Sequence, residues 1–376
     1  MATTDLDGAS PDAPLWQALA ARIGRAYRNA ELRLIRLIAT SLARDMGAPQ
    51  WAVIRLAEIE TIRRNANHIL ISAEDEITRL VEQTLNAAAD AGQAAAIRNL
   101  DTAGLPITPP PALQAAVAVM AADTMTYLTG IRPIALRSVA DGYQAIIEKA
   151  TQAVVLGAQA RRDATQDALT AFARHGVTGF TDRAGRAWSM DAYGEMATRT
   201  GAMAAMTAGQ TSTLLSLGQR FVRVDHHGYT CPKCGPWEGK ILSLDGTPAG
   251  TVYTTSTVSD KLVTVPVAGT VDEARAAGLW HPNCAHTMTA YLPGVRTPRH
   301  TARPTPAGGY EATQRQRAIE RHIRHHKRVE AAAITPEAAH DARVKVRAWQ
   351  KARRDLLAQY PDLRAKPVRE QIKTAH

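Results

Sequence analysis

The chain has 376 residues, of which 45% are hydrophobic and 21% are charged, so it can bury a core and has room for more than one domain. Its net charge is +10 and is concentrated after residue 295, where there are 19 Lys or Arg and 8 Asp or Glu. A polar, acidic start and short apolar runs predict neither a secretory signal nor a membrane span, and three cysteines argue against a disulfide framework. We therefore expect synthesis in a reducing cytoplasm.

Residues 1–175 are predicted to form long helices. Apolar residues recur at three- and four-residue steps from Trp16 to Leu42, which is typical of an amphipathic helix. A second helical stretch begins near Trp51 and ends at the proline-rich segment 101–111, because a run of prolines cannot remain helical.

The alanine-rich stretch 112–174 is again helical, with an interruption near the sequence GIRP. The sequence leaves two arrangements open for these helices. They form a stalk that contacts a partner through the stripe on the first helix, or they pack on themselves as a bundle. The stripe residues named for such a contact are Trp16, Ile23, Leu34 and Ile38.

Residues 176–295 are predicted to form a small α+β domain. A helix is expected from about 191 to 217, and the segment FVRV after it has the pattern of a strand. The segments GKILSLDGTPAG and DKLVTVPVAGT alternate like strands around turns. Asp272 is expected to cap a short helix that ends at Gly278.

Residues 296–376 are predicted to be a linker, at 297–309, followed by a basic helical hairpin with ITPE as its turn. Such a cationic array can neutralise DNA phosphates, while the plainer interpretation is a solvated helical arm. Few aromatic residues accompany the charges, so any DNA contact should be independent of sequence. The residues named for it are Arg315, Arg317, Arg321, Arg324, Lys327 and Arg328.

The three cysteines have the spacing of a metal site. Cys231 and Cys234 form one chelating pair, and His281 with Cys284 forms a second, which together offer four ligands to one zinc ion. His286 is the competing fourth ligand. A closed site with four protein ligands indicates a structural rather than a catalytic metal. Three unrelated buried cysteines are the other interpretation.

Other chemistry fits the motif less well. A redox dithiol lacks the surrounding βαβ pattern, and a zinc deaminase lacks the upstream His-x-Glu. No nucleophile elbow or phosphate-binding loop is found, so we expect no enzymatic activity. The alternative function is that of a zinc-dependent hydrolase or nucleic-acid-processing enzyme whose metal keeps one open position.

Four segments carry a family resemblance: GVTGFTDRAGRAWSMDAYGEMATRT, DHHGYTCPKCGPWEGKILSLDG, HPNCAHTMTAYLPG and YEATQRQRAIERHIRHHKR. In this order they resemble the phage minor capsid protein 2 family, which is related to Mu-type head morphogenesis proteins. The resemblance covers about 176–330, and the amino-terminal helices match only in character. Related proteins often have cysteine at the position of His286, which keeps this residue as a possible ligand.

The resemblance implies a virion component that acts in head assembly and DNA packaging at the portal vertex. Expected partners are the portal protein, the major capsid protein and double-stranded DNA, with no membrane and no small-molecule substrate. The expected fold is mainly α with a small α+β zinc-binding domain, and the expected cofactor is one structural Zn²⁺ per chain. The amino-terminal region would dock on the portal or capsid, and the chain would be made in the host cytoplasm.

Overall fold

The structure is a computed structural model, and it describes residues 15–105, 107, 113–155, 160–177, 180–181, 187–226, 230–281, 284, 286–295, 308–361 and 363. The predicted linker 297–309 lies outside these residues except for 308 and 309, and of the proline-rich segment 101–111 the structure describes 101–105 and 107. The helices are α1 Leu15–Ala43, α2 Trp51–Ala57, α3 Ile59–Thr102, α4 Gln114–Thr129, α5 Ile131–Val155, α6 Arg161–His175, α7 Met190–Ser216, α8 Val271–Ala276, α9 Gly309–Ala331 and α10 Pro336–Gln359. The strands are β1 Phe180–Thr181, β2 Ala187–Trp188, β3 Phe221–Val224, β4 Ile241–Ser243, β5 Gly250–Thr255, β6 Leu262–Thr270 and β7 Met288–Ala290. The predicted mainly α fold with a small α+β part is thus confirmed.

The long helices form a bundle whose main contacts are among α1, α3 and α7. The stripe on α1 is the centre of its core: Ile23, Leu34 and Ile38 are fully buried, and Trp16 is nearly so. Of the two arrangements that the sequence left open, the structure has the bundle. The stripe is therefore not free to contact a partner, because its apolar surface is already buried from water within the chain.

Two glycines let α3 and α7 approach each other closely. A Cβ atom added at Gly92 would lie 2.1 Å from the carbonyl oxygen of Met206, and one added at Gly209 would lie 2.3 Å from that of Ala89. Both neighbours are backbone atoms, which cannot move aside as a flexible side chain can. The spacing of these two helices therefore depends on the absence of a side chain at both positions.

The five-stranded sheet has the order β5-β6-β4-β3-β7, with β4 and β6 parallel and the other pairs antiparallel. Its β7 side is attached to the bundle. Asn99 of α3 accepts a hydrogen bond from the backbone N–H of Ala290 (3.0 Å), and Gln210 of α7 donates one to the carbonyl oxygen of Met288 (2.7 Å). These polar contacts satisfy strand groups that a sheet edge leaves without a ladder partner.

The short helix α8 is present where the sequence predicted it, but its cap was assigned wrongly. Thr270 caps the helix: its hydroxyl accepts from the backbone N–H of Glu273 (3.0 Å), whose side chain accepts from the N–H of Thr270 (2.8 Å). Asp272 lies within the first turn, where a carboxylate is favourable to the helix dipole without capping it. Gly278 follows the helix with φ +104°, a conformation that favours glycine.

The tail forms the predicted helical hairpin. Thr335 caps α10 by accepting from the N–H of Ala338 (3.2 Å), and Pro336 occupies the first helical position. His322 of α9 stacks on Trp349 of α10, with ring centroids 4.2 Å apart and planes 5° from parallel. The hairpin also rests on the bundle, since α9 packs on α6 and α1.

The packing does not follow the domain boundaries proposed from sequence. Helix α7 lies within the range 176–295, yet its main contacts are with α1 and α3 of the range 1–175. The tail range 296–376 contributes α9 to the same helical core. The three ranges remain a sequence prediction, and they share interfaces of substantial size.

Candidate metal centre

Two short turns bring the predicted ligands together. The backbone N–H of Cys234 bonds to the carbonyl oxygen of Cys231 (3.1 Å), and that of Cys284 bonds to the carbonyl oxygen of His281 (2.8 Å). The first turn follows β3, and the second lies between α8 and β7. The first turn places the ligand atoms of Cys231 and Cys234 in one group, as a chelating pair requires, whereas His281 and Cys284 of the second turn belong to different groups.

The five candidate ligands form two overlapping groups of three that share Cys234. Cys231, Cys234 and His281 make one group, and Cys234, Cys284 and His286 make the other, with all ligand atoms of a group within 4.8 Å of one another. Such a Cys/His cluster could hold a metal ion.

The distances between neighbouring ligand atoms agree with this. The Sγ of Cys231 lies 3.0 Å from Nε2 of His281, and the two sulfurs of Cys234 and Cys284 lie 3.6 Å apart. The Sγ of Cys284 is 3.4 Å from Nδ1 of His286. In a tetrahedron of thiolates and imidazoles around one ion, neighbouring ligand atoms are about 3.5 to 3.8 Å apart. Because the two groups share only Cys234, binding of four ligands to one metal requires the ligands of both groups to close toward this residue.

A carboxylate that the sequence analysis missed lies behind the ligands. Glu238 Oε1 is 2.8 Å from Nε2 of His286 and also accepts from the hydroxyl of Thr230, while its Oε2 is 3.2 Å from Nδ1 of His226. Metal-bound histidines commonly donate their second ring N–H to such a carboxylate. The Trp-x-Gly segment around Glu238 was seen, but nothing in the spacing marked the glutamate itself.

The electrostatics of the cluster favour one thiolate. The hydrogen bond from Cys234, together with His286, lowers the pKa of Cys284 to about 4. The pKa of Cys234 is raised, first by the same hydrogen bond and then by burial. Burial opposes the charged form of His286, but its bonds to Cys284 and Glu238 prevail and raise its pKa. Metal binding displaces protons from thiol and imidazole ligands. A metal ion could therefore take the place of the protons that are held next to the Cys284 thiolate.

The cluster belongs to a small apolar core. Cys234 is fully buried among residues of the sheet, α8 and the ends of α3 and α7, including Leu100, Leu214 and Val222. Trp280 closes one side, and its indole N–H donates to the carbonyl oxygen of His286 (3.0 Å). The Cys/His cluster thus lies at the interface between the sheet and the helices. This position is typical of a site that holds loops in place.

The predicted nucleic-acid residues are divided between two environments. Arg315 and Arg321 are exposed, while Arg317 and Lys327 are half-buried. Arg324 bonds to the buried carboxylate of Asp191 (3.2 Å), and its side chain is 13% exposed. The assignment of Arg324 to a DNA surface is therefore corrected by its position: an arginine held in this way faces the protein interior.

Arg328 is the second arginine that faces inward. It bonds to the buried carboxylate of Glu31 (3.4 Å) and donates from Nε to the carbonyl oxygen of Ala173 (3.2 Å). The other oxygen of Glu31 accepts from the N–H of Val177 (2.9 Å). Its assignment to a DNA surface is likewise corrected, because the side chain satisfies buried acceptors of α1 and α6.

These pairs belong to a buried charge network that joins α1, α7 and α9. Arg28 and Glu31 come from α1, Asp191 from the start of α7, and Arg324 and Arg328 from α9. Burial by itself would raise the pKa of Asp191, but Arg324 and Arg28 outweigh it and hold the value at about 2. For Glu31 burial prevails over Arg328, and the pKa is raised. The available signal in the sequence was a charged residue inside an apolar stripe. Helical periodicity alone assigns such a residue to the surface.

Fold and site together define a class: a mainly helical protein with a small mixed sheet, in which a Cys/His cluster able to hold a metal joins the two. In the described residues no helix is long and apolar enough to cross a membrane. The family model described as phage minor capsid protein 2 matches residues 16–358, so the chain belongs to that family and the resemblance found in its sequence is confirmed. Comparisons with curated proteins and with solved structures gave no significant match.

Proposed function

We propose that the protein is a structural minor capsid protein of a tailed phage, which acts in head assembly and DNA packaging at the portal vertex of the virion. The observation that carries this proposal is the family match over residues 16–358, which includes the bundle, the sheet and the hairpin. Portal and major capsid proteins are the expected partners. Neither a membrane nor a small-molecule substrate has a part in this role.

Co-expression with the portal protein tests this role. The full chain should co-purify with the portal protein, and antibody labelling should find it in assembled heads. A major tail protein expressed in the same way is the matched control and should not be retained. Absence of the chain from purified heads, together with no portal complex, would contradict the proposal.

The cluster is proposed to bind one Zn²⁺ as a structural ion. Three thiols and an imidazole form a soft, tetrahedral donor set, for which zinc is the usual metal of a closed structural site. We propose Cys231, Cys234, Cys284 and His286 as the four ligands, because Glu238 would orient His286. His281 is the competing ligand through its proximity to Cys231.

Metal analysis of the purified full chain checks this assignment. One zinc per chain is expected, together with a lower thermal stability after treatment with a chelator, because binding free energy contributes to folding. Zinc-free protein that keeps its stability in chelator would contradict it.

A zinc-dependent hydrolase or nucleic-acid enzyme remains the second candidate. Such an enzyme requires one open coordination position on the metal for water. Either His281 or His286 could fill the fourth position, which disfavours an open one. X-ray absorption spectroscopy of the zinc-loaded protein separates the two. Four protein ligands support the structural role, whereas three with a water would favour the enzyme.

The tail is proposed to contact double-stranded DNA without reading its sequence. Support comes from the concentration of positive charge after residue 295 and from the family's association with the phage head. Counterion release would make the affinity fall steeply with salt. The test is binding of short duplexes of two unrelated sequences, which should bind equally.

A further inference from the structure

Helix α10 presents two different faces. Its inner face carries Ala342, Val346 and Leu356, which are buried, and Trp349, which stacks on α9. The outer face is exposed over its whole length. Four exposed cations of this outer face recur at steps of four, four and three residues, and they are Arg343, Arg347, Lys351 and Arg354, while the exposed Lys345 points about 120° away from Lys351.

These four residues, here called the α10 stripe, occupy a narrow part of the helix surface. At about 100° per residue they fall within an arc of about 80°, and successive members are about 4.5 to 6 Å apart along the axis. The exposed acids of the same helix lie beside this arc: Glu337 and Asp355 are about 40° beyond Lys351, and Asp341 is about 80° beyond it. The arc itself therefore carries cations and no acid, with acidic side chains along one of its edges.

Helix α9 does not offer a comparable surface. Two of its cations, Arg324 and Arg328, face inward and belong to the buried charge network. Its exposed cations, Arg315 and Arg321, are six positions apart, which is about 240° around the helix, so they point in different directions.

Two members of the stripe have carboxylate neighbours. Arg343 lies 3.5 Å from Glu330 of α9, and Lys351 lies 2.8 Å from Asp355. All four of these side chains are at least partly exposed, and such surface ion pairs contribute little stability. A phosphate can therefore replace the carboxylate at small cost.

We propose that the α10 stripe is the surface through which this chain binds the backbone of double-stranded DNA. This deepens the proposed DNA contact and rests on it. A regular line of cations with one member per helical turn suits a row of phosphates. No large apolar side chain lies within its arc: His340 inside it is polar, and Val344, which is 44% exposed, lies about 20° outside it. A surface that binds a protein would be expected to have such apolar anchors at its centre.

The test compares three variants of the full chain. The stripe variant replaces Arg343, Arg347, Lys351 and Arg354 by Gln. The matched control replaces four exposed arginines of α3 by Gln, which removes the same charge elsewhere: Arg63, Arg64, Arg79 and Arg98. A third variant carries Arg315→Gln and Arg321→Gln on α9. Circular dichroism and thermal melting confirm that each variant is folded before binding is measured.

Binding to short duplexes is measured as a function of salt. The stripe variant should bind roughly 100-fold more weakly at about 100 mM salt, and the log–log salt slope should become shallower by about 3 to 4, since each phosphate contact contributes about 0.9. The α3 control should stay within about threefold of the wild type and the α9 variant within about tenfold, because neither array can engage four phosphates in a row.

Each other outcome overturns the inference in a recognisable way. If the wild type binds DNA and the stripe variant binds equally well, the stripe is wrong while the proposed DNA contact survives. A larger loss in the α9 variant would return the contact to α9. If the wild type does not bind DNA, the proposed contact and the stripe both fail. Clearly tighter binding of poly-glutamate than of duplex DNA at equal charge concentration and salt would assign the stripe to an acidic protein surface.

Discussion

Glu238 and His286 are joined by a contact of 2.8 Å between Oε1 and Nε2. The contact leaves Nδ1 as the ring nitrogen that lies toward the sulfur of Cys284 (3.4 Å). A residue from the first turn of the site thereby fixes the ring orientation of a residue from the second. His286, which lies just before β7, can therefore be oriented by Glu238 before any ion is bound.

Replacement of Glu238 by Gln should weaken metal binding without removing a ligand. Loss of an oriented carboxylate behind a histidine ligand commonly lowers metal affinity about 10- to 100-fold. Competition with a chromophoric chelator measures the affinity. Asp260→Asn, at an exposed position of the β5–β6 turn, is the control and should have no effect. Equal affinities of wild type and Glu238→Gln would contradict the assignment.

The two histidines can be separated by single substitutions. We expect His286→Ala to abolish the tetrahedral spectrum of the Co²⁺-substituted protein, since it removes a proposed ligand. His281→Ala should keep the spectrum and weaken binding only modestly. The reverse pattern would make His281 the ligand and His286 a residue that stabilises Cys284 by hydrogen bonding.

Arg328→Met should strongly destabilise the fold. The substitution keeps an unbranched side chain but leaves Glu31 buried without its cation, and breaking a buried ion pair costs about 3 to 5 kcal/mol of unfolding free energy. Arg321→Met, at an exposed position of the same helix, should change it by less than about 0.5 kcal/mol. Denaturant unfolding measures both. Similar stabilities would show that the hairpin is not anchored by this pair.

The charge network should make the protein sensitive to acid. The pKa of Asp191 is about 2, below its usual 3.8, so its ionised form stabilises the fold fully above pH about 4. This stabilisation, of about 2 kcal/mol, is lost as the pH falls toward 2. Glu31 acts in the opposite sense, because its pKa is raised and its protonation favours the folded state.

Asp191→Asn isolates the first effect. Its unfolding free energy should fall less steeply than that of the wild type between pH 5 and 3, after allowance for a lower value at neutral pH. Parallel pH profiles for the two proteins would mean that Asp191 is not held ionised by its arginine neighbours.

Gly92→Ala should disrupt the contact between α3 and α7. The added methyl group would meet the carbonyl oxygen of Met206 at 2.1 Å, so one helix must move, at a cost of about 1 to 3 kcal/mol or more. Gly47→Ala is the matched control, because an added Cβ there meets nothing within 4 Å. Thermal melting of the two variants should differ clearly, and equal melting temperatures would contradict the close helix approach.

Much of the fold could be predicted from local patterns. The periodicity of α1, the breaks before α4 and between α4 and α5, and the Thr-Pro start of α10 are all signals carried by neighbouring residues, whereas the break between α5 and α6 was not predicted. Strand β5 was missed, because Val252 and Tyr253 are adjacent in its segment GTVYTT, so apolar and polar residues do not alternate in the sequence although half-buried and exposed side chains alternate in the structure. The cap of α8 was misplaced by two residues, since Thr270 and Asp272 are both acceptable caps and only the backbone conformation decides between them.

The candidate site could be predicted as far as its spacing extends. The turns at Cys231 and His281 are formed by residues close in sequence, so the spacing was enough to identify the candidate ligands. Glu238 is brought to His286 by the pairing of β3 with β4 and β7, which spacing alone does not encode. The inward position of Arg324 and Arg328 has the same origin: helix periodicity tells which residues share a face, but the face that is buried depends on the distant α1, α6 and α7.

The ion pair of Glu31 with Arg328 spans 297 residues of chain. At a synthesis rate of about 5 to 20 residues per second, the carboxylate of Glu31 waits about 15 to 60 s after leaving the ribosome before its cation exists. During this interval α1 can bury its apolar stripe against α3 and α7 but must leave Glu31 protonated or hydrated. Completion of the helical core is thus a late event in the life of the nascent chain.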